Sequence, residues 1–140
     1  MKKLLVAAMV VVATAHFGIA GEPTKKFTVE EKRIELAKKN IAVGLQSENT
    51  GLIESAIRMT AQLKMKYPAT DVSTLVAMLN KISVTHPIGK IRYTAYVSSI
   101  ICSDPYWFLS DDSVAHASDE SFFRVASGRL QQKFFSASTL

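Results

Sequence analysis

With one cysteine, Cys102, the chain has no partner thiol for an internal disulfide, so a stapled miniature fold is excluded. Four prolines and a hydrophobic share of 48% do not suit a disordered polymer, which holds fewer apolar residues. The motifs of common enzymes are missing too: there is no Gly-x-Ser-x-Gly, no Ser-x-x-Lys and no phosphate loop. No stretch alternates apolar and polar residues for long enough to argue a strand. Massed charge is also lacking. Beyond the N-terminus the adjacent basic pairs are Lys25-Lys26, Lys32-Arg33 and Lys38-Lys39, scattered between acids, which speaks against a nucleic-acid partner. What is left at 140 residues is one compact domain.

The N-terminus has the layout of a secretory signal. Met1-Lys2-Lys3 is a basic start, Leu4 to Ala15 is an apolar run, and Gly18 and Ala20 occupy the small-residue positions of a cleavage site just before Pro23. Residues 1–20 are therefore expected to be removed on export, to the periplasm or beyond, with 21–27 as a linker. An uncleaved anchor is the alternative, but the run is short for a span and His16 and Gly18 break it. No cysteine follows the cleavage point, so lipid attachment there is excluded. Loss of Lys2 and Lys3 lowers the formal charge from +5 to +3, enough for solubility and too little to imply an anionic partner.

The rest reads as helix. Thr28-Val29-Glu30-Glu31 has the form of a capping box, and Ile34, Ala37, Ile41 and Leu45 then fall on one helical face. Ser47 to Gly51 is turn chemistry. A second helix carries Ile53, Ala56, Ile57, Thr60, Leu63 and Tyr67 inward and stops at Pro68. Thr70-Asp71 is expected to cap a third helix with the stripe Val72, Leu75, Val76, Leu79 and Ile82. Pro87, in a first-turn position, opens a fourth that runs through Ile91, Thr94, Val97 and Ile101 to Asp104-Pro105.

The second pair echoes the first. Ile57-Arg58-Met59-Thr60-Ala61 matches Ile91-Arg92-Tyr93-Thr94-Ala95 at an offset of 34, and the same offset pairs Ile41 with Leu75, Leu45 with Leu79 and Leu63 with Val97. A two-helix repeat of that length is the signature of an α-solenoid. On these residues, with Asn40-Ile41-Ala42, Lys64 to Pro68 and Pro105-Tyr106-Trp107-Phe108, the stretch from Thr28 to Phe108 resembles a pair of HEAT-type helical hairpins and small exported bacterial proteins without an assigned activity. The resemblance implies a scaffold or binding role and carries over no catalytic residue. The Trp-x-x-Leu-Gly-x-x-Tyr pattern of tetratricopeptide repeats is not present.

Beyond Phe108, residues 109–117 read as a polar loop and 118–135 as an amphipathic helix capped by Ser118, with Asp119 and Glu120 in its first turn. Phe122, Ala126, Leu130 and Phe134 lie four apart and are expected to cover the open end of the short solenoid. The alternative is a docking helix for a partner or a membrane surface, which its acidic start and three basic residues do not favour. The fold class is thus all-α: two stacked helical hairpins and a C-terminal amphipathic capping helix.

No cofactor is implied. His86 and His116 are not in metal-ligand spacing, Cys102 has no cysteine partner, and Asp111-Asp112 lacks the ladder of oxygen ligands that calcium needs. A metal-binding protein or small hydrolase using His86 and His116, with Cys102 and Asp104 as further ligands, is the rival to a binding module. The helix faces favour the module. At about 100° per residue, Arg58 and Gln62 point away from the apolar face of the second helix, and their repeat equivalents Arg92 and Tyr96 do so on the fourth. These four are the candidate ridge for binding another exported or envelope protein, since arginine and tyrosine are favoured at interface anchors.

Overall fold

The computed structural model describes residues 26–137, so the expected signal peptide and most of the linker lie outside the described residues. Every regular element among the described residues is a helix: α1 (Val29–Leu45), α2 (Thr50–Lys66), α3 (Ser73–Thr85), α4 (Gly89–Ser103), α5 (Pro105–Leu109), α6 (Asp112–Ala115) and α7 (Phe122–Ala137). The capping box forms as expected: the Glu31 amide donates to Thr28 Oγ1 at 3.1 Å, and the Thr28 amide donates to Glu31 Oε2 at 2.7 Å. Asn49 caps α2 by accepting from the amides of Gly51 and Leu52.

Helices α1–α2 and α3–α4 form two hairpins around one core, to which all four contribute: Ile41 and Leu45, Ile53 and Ile57, Leu75 and Leu79, Ile91 and Ala95. Helices α2 and α4 run parallel. Ser98 Oγ donates to the Ile57 carbonyl at 3.0 Å and Cys102 Sγ donates to the Thr60 carbonyl at 3.9 Å, a near-constant sequence separation that only parallel helices give. Small side chains (Ala56, Thr60, Ala61, Ala95, Ser98, Ser99) allow this approach, and their hydroxyls are paired with backbone carbonyls, as burial demands. The repeat positions match in burial: Ile57 and Ile91 are fully buried, as are Ala61 and Ala95, and Thr60 and Thr94 are both buried.

A second core lies on other faces of α2 and α4, where Ala61, Met65, Val97 and Ile101 meet Phe108, Val114, Phe122, Ala126 and Leu130. The domain therefore has three layers, with α2 and α4 between α1/α3 and α5–α7. Helix α7 covers the side of the middle layer and not the end of the hairpin stack. Several boundaries differ from expectation. Asp104-Pro105 ends α4 and also starts α5, because the Asp104 carboxylate accepts from the Trp107 amide and proline fits the first helical position. The polar stretch 109–117 contains the one-turn helix α6, capped by Asp111. Helix α7 begins at Phe122, since Ser118–Ser121 form a turn that directs Asp119 back to α2. Helix α4 begins at Gly89, two residues after Pro87, and its N-cap Ile88 has no side-chain cap. Phe134, expected to be buried, is 56% exposed.

Candidate functional site

The four ridge residues separate into two kinds. Arg58 and Gln62, one turn apart on α2, both hold Asp119: Arg58 Nη2 lies 3.3 Å from Oδ2 and Gln62 Nε2 donates to Oδ1 at 3.0 Å. The Arg58 side chain is only 24% exposed, and its Nε is buried without a hydrogen-bond partner. Together they pin the turn before α7 to the middle layer. Arg92 instead closes the α3–α4 turn, donating from Nη1 to the carbonyls of His86 at 2.7 Å and Pro87 at 3.0 Å, where a cation satisfies the end of α3. Tyr96 alone among the four is exposed.

Tyr93 joins it. The two tyrosines, spaced i and i+3 on α4, are 47% and 42% exposed. In the stretch Ile91–Cys102 of this helix, which packs against α2, α3 and α7, they are the two exposed residues. Tyr93 was legible in the sequence, because it lies on the same outward side of α4 as Tyr96. The repeat hid it by equating it with Met59, a methionine on α2 with no polar group to draw notice.

Beside Arg58 a cleft of about 240 Å³ opens where α2, α4 and α7 meet. Its walls are the Arg58–Asp119 pair and a second pair, Lys90 Nζ to Glu54 Oε1 at 3.0 Å, with Thr94 and Phe123 alongside. Its cations are neutralised by the protein's own carboxylates. At the far end of α7, the Arg129 guanidinium lies 4.3 Å and the Lys133 ammonium 4.7 Å from the centre of the Trp107 ring. Lys133 also reaches Asp104, and Arg129 reaches Asp111 and the Ser110 hydroxyl. This cluster fastens α5 and α6 to α7. Of the aromatics after Pro105, Phe108 is fully buried and Tyr106 is exposed.

The two histidines stand in different turns. His86 Nδ1 accepts from the Ile88 amide at 3.1 Å, and His116 Nδ1 is 3.0 Å from the Asp112 carbonyl. Among the described residues no three of His, Cys, Asp and Glu converge as a metal site. Cys102 is buried, and burial pushes its thiol from an ordinary 9.0 up to about 12, so the nucleophilic thiolate is suppressed at neutral pH. Asp71 and Asp111 are held below the usual carboxylate range by hydrogen bonds from Ser73 and Ser113, as turn-capping carboxylates are. No family model matches the chain, and no curated protein or solved structure is significantly similar to it.

Proposed function

We propose that the chain is an exported, non-enzymatic protein of HEAT-like helical hairpins that binds another envelope protein through the open face of α4. The observation that carries this reading is the pair Tyr93 and Tyr96, the two exposed residues in the stretch Ile91–Cys102 of α4. Tyrosines supply large contact area at low entropic cost, and Arg92 at the adjoining turn adds planar donors. The role of Arg58 and Gln62 is to fix the turn at Asp119, so that the surface is formed before the partner arrives.

The test is affinity capture from a periplasmic fraction with wild type and Tyr93→Ser plus Tyr96→Ser, both first confirmed as folded by circular dichroism. Discrete partners held by wild type and reduced at least tenfold in the double variant are expected. Equal recovery removes this face from consideration. Elemental analysis of the same preparation addresses the rival: a stoichiometric metal lost on replacing His86 or His116 would favour a metal-dependent protein.

A further inference from the structure

The open side of the first hairpin carries two rows of exposed apolar residues. On α1 the row is Val29, Leu36 and Val43, and on α2 it is Leu52 and Met59. Both rows have a spacing of seven, so each repeats about every 10.5 Å along its helix, nearly parallel to the axis. The rows adjoin each other. Gly44 packs so closely on Ala56 that a Cβ at Gly44 would lie 2.8 Å from the Ala56 Cβ and 3.6 Å from the Leu52 carbonyl. At about 100° per residue, Asn40 and Arg33 fall between the α1 row and Gly44, on the floor of the groove, while Lys32 and Lys39 border its outer side. Ala56 and Leu63 close the floor from α2. Lys32, Arg33 and Lys39 form no ion pair among the described residues. The carboxylates nearby are Glu30 and Glu31 in the first turn of α1, Glu31 being held in the capping box, Glu35, tied to Lys38 at 2.8 Å, and Glu48 in the α1–α2 turn.

We propose that this groove docks an acidic amphipathic helix of a partner protein. The paired heptad rows match the apolar face of a third helix, which places anchors at i, i+3 or i+4, and i+7. The unpaired cations on the floor and border match carboxylates flanking that face. A second copy of this chain fits poorly, because it would set Arg33 and the two lysines against themselves. A bilayer fits poorly as well, because Arg33 and Asn40 stand in the middle of the apolar surface and not at its rim. The groove is separate from the tyrosine face of α4, and its test is independent of that reading.

The probe is a labelled, designed helical peptide with leucine on one face and glutamate flanking it, titrated against the purified protein by fluorescence anisotropy. A lysine-flanked version of the same peptide is the control. Saturable binding of the glutamate peptide is expected, at least tenfold tighter than that of the lysine peptide. Leu36→Ser plus Met59→Ser should weaken it at least tenfold. Arg33→Glu, at an exposed position, should narrow the preference between peptides, while Tyr93→Ser plus Tyr96→Ser should change nothing. Equal affinity for the two peptides overturns the proposal. So does capture by phosphatidylglycerol vesicles that needs Leu36, or a wild-type dimer in sedimentation that the Leu36→Ser plus Met59→Ser variant loses.

Discussion

Two glycines on long helices show how one atom decides the packing. Gly44 lets α1 approach α2, and any side chain there must displace Ala56. Gly44→Val should destabilise the protein by roughly 1–3 kcal/mol through overpacking, seen as a lower midpoint in thermal unfolding. At Gly128, in the middle of α7, an added Cβ would meet nothing within 4 Å. Gly128→Ala should therefore be neutral or stabilising by up to about 1 kcal/mol, since alanine is the better helix former. At Cys102 the prediction concerns reactivity. The folded thiol should resist iodoacetamide at pH 8 and react once urea unfolds the chain. The same burial sets a pH dependence. The thiol titrates near 9 when exposed and near 12 when folded, so above pH 9 unfolding releases a proton and stability falls progressively up to pH 12. A denaturation midpoint that rises across that window would contradict the burial of Cys102.

At the scale of elements, α7 and the turn before it separate two kinds of attachment. Phe122, Ala126 and Leu130 are buried against Met65, Val97 and Ile101, and each large side chain contributes roughly 1.5–3 kcal/mol by burial. The ion pair between Arg58 and the exposed Asp119 is worth at most about 1 kcal/mol. Apolar burial is the larger effect. Truncation after Ala117 should therefore abolish cooperative melting in circular dichroism, whereas Asp119→Ala should lower the midpoint by only a few degrees. A truncated chain that melts sharply near the full-length midpoint would mean that α7 is not part of the folding unit. The four long helices of the hairpins were legible in the sequence because apolar spacing and turn residues agree locally, helped by the caps Thr28 and Asn49 on α1 and α2. The expected cap at Thr70-Asp71 gives way to Val72, which, like Ile88 before α4, has no side-chain cap. The third layer was less so. Asp104-Pro105 reads equally as the end of one helix and the start of another, and α5 uses both senses. The start of α7 depends on Arg58 and Gln62, about 60 residues earlier, drawing Asp119 out of the helix, a contact no local pattern encodes. For the same reason two of the four ridge residues brace the fold.

For the molecule as a whole, the three layers explain why apolar surface is left uncovered. The middle helices α2 and α4 are covered on two sides, and both ends of the hairpin stack stay open, with Leu36 and Met59 exposed at one and Tyr93 and Tyr96 at the other. Stacked helical hairpins bury their faces against neighbours, so an open apolar end is where a further element adds on. No helix among the described residues is long and apolar enough to cross a membrane. The protein-binding face proposed for α4 is tested most directly by site-specific photo-cross-linking in the living cell. A photoreactive residue at Tyr96 should give a discrete protein adduct of higher mass. The same residue at Tyr106, equally a tyrosine and 69% exposed but on α5, should not. No adduct from position 96, or the same adducts from both positions, would contradict the account.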